Sequence, residues 1–132
     1  MSTIDMLANP VDLENIMTDY QRRMREIHSM IRHDRAEGEA ALRRLLPIAQ
    51  RYTGQGERVA RVLLGCYNGY RFPLDLTNLR SLDYELMVDC LAVLRMDANA
   101  RQEVHCYFEN GGAVFEALAK DWGFEKGGGR EE

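Results

Sequence analysis

The sequence lacks most features that would assign a class at once. It has no uninterrupted apolar run of about 18 residues, so no membrane-spanning helix is expected. Residues Met1 to Ile16 contain no base ahead of an apolar run, so no secretory signal is expected either. Cysteine is scarce: Cys66, Cys90 and Cys106 are an odd number at wide spacing. That is neither a disulfide framework nor a zinc pattern, and it fits a reducing cytoplasm. Lysine is missing from residues 20–80, and bases are missing from residues 1–19. Glycine is sparse outside the last ten residues, which hold four of the eleven. Thr53-Gly54-Gln55-Gly56 is therefore a turn and not a phosphate loop, since no Lys-Ser/Thr follows it.

What is present suits one folded domain of 132 residues, 45% apolar and 29% charged. The net charge of −4 is unevenly spread. Residues 1–19 carry four acids; residues 20–80 carry twelve arginines against six acids; residues 81–132 carry five bases against eleven acids. Arginine suits forked contacts to carboxylate or phosphate. It is also what a GC-rich genome supplies by default.

The segment Leu82–Met96, LDYELMVDCLAVLRM, has eleven apolar residues among fifteen, on nearly every side of a helix. A helix apolar almost all round must be covered on most faces. The expected fold is all-α: one compact bundle of five or six helices around this buried central helix. Residues 1–124 form the domain, and the glycine-rich 125–132 tail is expected to be disordered.

Before that segment, Asn9-Pro10 reads as a helix start, with Asn capping and Pro at the first position. The helix runs to about His33, and His33-Asp34-Arg35 breaks the pattern. Leu13, Met17, Tyr20, Met24, Ile27 and Ile31 recur at spacings of 4, 3, 4, 3, 4, a heptad seam. The seam either packs on the domain's own core or pairs with a partner helix, such as that of a second copy in a homodimer. A second helix spans about Ala36 to Tyr52, with a kink or break near Arg43–Arg44 from Pro47. A third spans about Glu57 to Cys66 and buries Val59, Val62 and Leu63. Tyr67 to Leu76 contains Asn68-Gly69 and Phe72-Pro73 and reads as an ordered loop. After the central segment, Asn99 with Gln102 resembles a capping box for a helix over about Ala100 to Glu109. A last helix covers Ala113 to Asp121.

The candidate sites are modest. His28 and His33 lie about 140° apart on a helix at 100° per residue, too divergent for one metal. His105 and Cys106 are adjacent and also diverge. A nucleophile pair could be assembled from Cys66 or Cys90 with His105, but both cysteines sit on apolar faces and read as small core residues. Glu85 and Asp89 form a like-charged i, i+4 pair; they can serve acid–base chemistry or a cation, or face an arginine such as Arg61, Arg71 or Arg80. Arg22, Arg25, Arg32, Arg43, Arg44, Arg58 and Arg61 could make a nucleic-acid surface, against which stands the acidity of the whole domain. The acids Glu85, Asp89, Glu103, Glu109, Glu116 and Asp121 could instead meet a basic groove on another protein.

The run LLGCYNGYRFPLDLTNLRSLDYELMVDCL, followed by EVHCYFENGGAVFEALAKDWGF, resembles a family of small uncharacterised proteins carried on proteobacterial plasmids, phages and integrative elements. The likeness covers roughly Ala40 to Phe124 and brings no catalytic motif. What it implies is context: accessory proteins of mobile elements often bind and block a host defence complex, as anti-CRISPR proteins do. The expected function is therefore that of a cytoplasmic, non-enzymatic protein binder. It would need no cofactor or metal, and would inhibit a host nucleic-acid-targeting complex. The alternative is a nucleic-acid-binding accessory factor using the arginines of residues 22–61.

Overall fold

No residue between positions 10 and 46 forbids a helix. Gly38 is the poorest helix former there, and Pro47 falls close enough to the end to remove one backbone donor without stopping the chain. The computed structural model describes residues 10–124, so the Asn9 cap and the 125–132 tail lie outside the described residues. Helix α1 runs Pro10–Ala49. The break expected at His33-Asp34-Arg35 and the break near Arg43–Arg44 are both absent. His, Asp and Arg interrupted the apolar pattern, but none of them interrupts helical hydrogen bonding.

The chain divides into two compact units, Met1–His33 and Asp34–Glu132. In the first, the described residues form helix alone, with no second element beside it. Leu13, Ile16, Met17, Tyr20 and Met30 are each more than half exposed. Met24, Ile27 and Ile31 are partly exposed.

The second unit is organised around helix α2, Gly54–Tyr67, which buries Gly56, Val59, Ala60, Val62, Leu63 and Leu64. It starts earlier than the turn at residues 53–56 suggested, because Thr53 Oγ1 accepts from Gly56 N–H at 2.9 Å and caps it. Packed on α2 are a 3₁₀ turn, Leu76–Ser81, helix α3, Tyr84–Ala98, a second 3₁₀ turn, Val104–Tyr107, and helix α4, Gly111–Trp122. From α1, Ala41, Leu42, Leu45 and Ala49 join the same core without exposed surface. Each fully buried Leu or Val contributes about 1.5–3 kcal/mol of transfer free energy before its entropy is counted. The all-α expectation stands, and there is no strand among the described residues.

The centre of the core differs from expectation. Cys90, Val93 and Met96 of α3 are buried, yet Tyr84, Val88 and Leu91 remain 73%, 44% and 39% exposed. The helix that the others surround is α2. The helix expected over Ala100–Glu109 is a single 3₁₀ turn, with Val104 as its buried anchor. A Cβ at Gly111 would lie 1.6 Å from the His105 carbonyl oxygen, so the chain before α4 is pressed onto that glycine. A regular helix would not make this approach. Asn110 (φ 55°) turns the chain into α4, and Gly123 (φ 72°) turns it out.

Candidate functional site

Three residues fix how α3 is presented. Gln55 on α2 donates to Ser81 O at 2.9 Å and accepts from Asp83 N–H at 2.8 Å, strapping the start of α3. Asp83 makes no capping hydrogen bond through its own side chain, so Gln55 does that work. On the flank, Arg44 of α1 grips Asp89 in a fork, with Nε and Nη2 donating to the two carboxylate oxygens at 3.1 and 2.9 Å. Asp89 was expected to meet an arginine of the basic half; it meets Arg44, not Arg61, Arg71 or Arg80. Where α1 crosses α3, Gly38 is buried against it: a Cβ there would lie 2.2 Å from Met96 Cβ and 2.9 Å from Ala92 O.

With Cys90, Val93 and Met96 turned inward, Tyr84, Val88, Leu91 and Arg95 follow at spacings of 4, 3 and 4 along the opposite side. Half-buried Met87 and Leu94 border this stripe on one flank, and exposed Glu85 on the other. The exposed apolar area is on the order of 300 Å², the low end of the range for the largest patch on a typical monomer, and such patches are often functional. The sequence reading missed Tyr84, Val88 and Leu91 as surface residues. Their signal was present in a helix apolar on all sides, but it was taken to mean enclosure by this chain.

The other predicted acids divide. Glu116 is bound internally: Arg71 donates to its two oxygens at 2.7 and 3.0 Å, and the Tyr67 hydroxyl donates at 2.5 Å. These donors, Arg71 first, hold the Glu116 carboxyl down at about 2. Glu85, Glu103, Glu109 and Asp121 are exposed and have no arginine partner among the described residues.

Among the candidate nucleic-acid arginines, four already hold carboxylates. Arg22 meets Asp19, Arg43 meets Glu39 and Arg61 meets Glu57, each at 2.8 Å, and Arg44 meets Asp89. Arg43 also donates to Tyr107 O at 3.0 Å, and Arg61 lies 4.2 Å over the Phe124 ring. Arg25, Arg32 and Arg58 have no carboxylate partner among the described residues. An open polar groove of about 430 Å³ is lined by Arg58 and Arg61 together with Glu57 and Asp75, so no single charge sign dominates it.

The cysteine–histidine candidates divide: Cys90 lies in the core and Cys66 packs against it, as their apolar faces suggested, and only Cys106 departs from expectation. Burial pushes the Cys66 and Cys90 thiols up to about 12, which keeps them protonated and poor nucleophiles. Exposed Cys106, expected to diverge from His105, instead places Sγ 3.6 Å from its Nε2. His105 Nδ1 is buried without a hydrogen-bond partner among the described residues, and its ring meets the Tyr67 ring edge-on at 5.1 Å. His28 and His33 lie exposed on α1, and no group of three or more His, Cys, Asp or Glu residues is gathered as for a metal ion among the described residues. No helix among them is long and apolar enough to cross a membrane.

Fold and surface together define an all-α protein with an outward-facing apolar helix. Residues 39–123 match the model of a family of unknown function, DUF7673. The chain belongs to that family, whose matched span lies wholly within the second unit. No curated protein and no solved structure matches the chain.

Proposed function

We propose that this protein is a non-enzymatic protein-binding module. The binding face is the outward side of α3, centred on Tyr84, Val88 and Leu91. One observation carries the reading: Tyr84, Val88 and Leu91 stand exposed together on the side of α3 turned away from the core of the described residues. Transfer of that surface out of water is favourable, and a second molecule can supply the cover that α1, α2 and α4 do not. The occupant that fits is an amphipathic helix with basic residues on one flank, because the stripe is bordered by exposed Glu85. Glu103, Glu109 and Asp121 are further exposed acids of the same unit.

The resemblance of residues 40–124 to mobile-element proteins supports a basic partner of this kind within a host nucleic-acid-targeting complex, with the protein acting as its inhibitor in the cytoplasm. Direct binding to nucleic acid is less favoured, since four of the seven candidate arginines would first have to leave carboxylates. The test uses the tagged full chain and native host lysate treated with nuclease. A protein enriched by the wild type and by Tyr70→Ser, a control away from the stripe, should fall by at least about tenfold with Leu91→Asp. Equal enrichment by the folded Leu91→Asp variant contradicts the reading. So does recovery that disappears on nuclease treatment and falls steeply as salt rises.

A further inference from the structure

The first unit carries its own unpartnered face. Residues 10–33 form a helix with no second element beside it in that unit, although helices in proteins draw most of their stability from packing an apolar face. Along it, Leu13, Met17, Tyr20, Met24, Ile27 and Ile31 form a heptad seam, with Leu13, Tyr20 and Ile27 at d and Met17, Met24 and Ile31 at a. Two further large apolar residues, Ile16 and Met30, are more than half exposed and fall at g, beside the seam. Apolar residues at a, d and g together make a stripe of the width that packs on a neighbouring element, and no such element lies beside it in this unit.

We propose that the occupant of this face is the same segment of a second copy, running antiparallel. Only one antiparallel register pairs every seam position with a seam position. It sets Leu13 against Ile31 of the second copy, Met17 against Ile27, and Tyr20 against Met24, with the two-fold axis near residue 22. In antiparallel pairs, g positions meet g positions, and this register sets Ile16 against Met30. Both exposed apolar flanks are then covered by one alignment. A parallel pair would instead bring g against e, placing Ile16 beside Gln21 and Met30 beside no apolar residue.

The charge pattern selects the same direction. Residues 10–19 contain three acids and no base; residues 20–33 contain Arg22, Arg23, Arg25 and Arg32 against Glu26. Antiparallel copies lay each acidic end along a basic one, whereas parallel copies align like with like. The one like-charge meeting in the register is Arg23 with its own copy on the axis, and Glu26, 3.8 Å from Arg23, partly offsets it. Eight partly or mostly exposed apolar side chains per helix bury roughly 600–800 Å² on each copy, which approaches the size of a standard stable interface. This inference does not depend on the α3 face, which lies in the other unit.

Sedimentation velocity on the full chain, at concentrations up to several hundred micromolar, should show a species of twice the chain mass. Tyr20→Asp should raise its Kd by more than about tenfold. Leu91→Asp should leave it unchanged, which separates this inference from the binding function proposed above. Orientation is read by oxidative cross-linking in a Cys106→Ser background. Tyr20→Cys and Met24→Cys chains should cross-link when mixed, and neither should do so alone. A monomer at all concentrations overturns the proposal. Self-cross-linking of Tyr20→Cys alone, the mark of a parallel pair, also overturns it, as does a dimer indifferent to Tyr20→Asp.

Discussion

Replacing Gly38 by alanine tests how α1 and α3 are locked, and so which side of α3 faces out. In the middle of a helix, alanine is worth about 1 kcal/mol more than glycine by propensity. An exposed site would therefore be stabilised. At Gly38, however, the added methyl would meet Met96 Cβ at 2.2 Å and Ala92 O at 2.9 Å. Neither is the far end of a flexible side chain; one is a backbone atom and the other is fixed to the backbone. The two helices must move apart by about an ångström, which loosens the packing of fully buried Val93 and nearly buried Met96. Overpacking of this kind costs typically 1–3 kcal/mol or more. A 2.2 Å approach puts the cost at the upper end, about 2–3 kcal/mol, so with the propensity gain of about 1 kcal/mol subtracted Gly38→Ala should still destabilise by about 1–2 kcal/mol. For a chain of this size that is a fall in Tm of roughly 3–8 °C. Urea denaturation followed by circular dichroism measures it, with Ala36→Gly on the same helix as a control that reports propensity alone. A Gly38→Ala protein as stable as the wild type, or more so, would refute the close crossing of α1 and α3.

Other outcomes follow from the paired and buried groups. Arg44→Ala leaves Asp89, whose side chain is only 19% exposed, without its forked partner, and should destabilise by about 1–2 kcal/mol in urea titration; Arg44→Lys should recover only part of that. The Glu116 carboxyl is held near 2 in the folded state, below its unfolded value, so its contribution is present above about pH 4.5 and lost as pH falls through 2. Glu116 is half exposed and solvent-screened, so Glu116→Gln should cost no more than about 1 kcal/mol at pH 7, with the difference from wild type vanishing near pH 2 in thermal melts. With an aromatic disulfide reagent at pH 8, exposed Cys106 should react at once. Cys66 and Cys90 should wait for unfolding, so that one thiol titrates in buffer and three in denaturant.

Much of the fold was legible because it is set by local patterns. The run Val59, Val62, Leu63 gave the buried side of α2, Phe72-Pro73 gave an ordered loop pinned by a buried Phe72, and the helix read over Ala113 to Asp121 lies within α4. What escaped was set by tertiary contact. The residues at 33–35 interrupt an apolar pattern, but a change of pattern marks a change of what a helix faces, not its end; α1 continues to Ala49. The Asn99–Gln102 pattern had the letters of a capping box. The close approach of His105 to Gly111 nevertheless leaves room for one 3₁₀ turn only. The carboxylate–arginine pairing of Asp89 was foreseen in kind, but Arg44 comes from 45 residues away, and spacing in the sequence does not encode that distance. For α3 the composition was read correctly and its consequence wrongly. Hydropathy says that a surface must be covered, but not by which molecule.

The central claim is that the open side of α3 is a contact surface for another protein. Its most direct test is a photo-activated cross-linking residue placed at Val88 in the full chain, expressed in the native host, with a second chain carrying it at Tyr70. Cross-linking from position 88 to one discrete protein, with none from position 70, is the predicted result. Equal adducts from both positions, adducts to nucleic acid, or none from position 88 would contradict it.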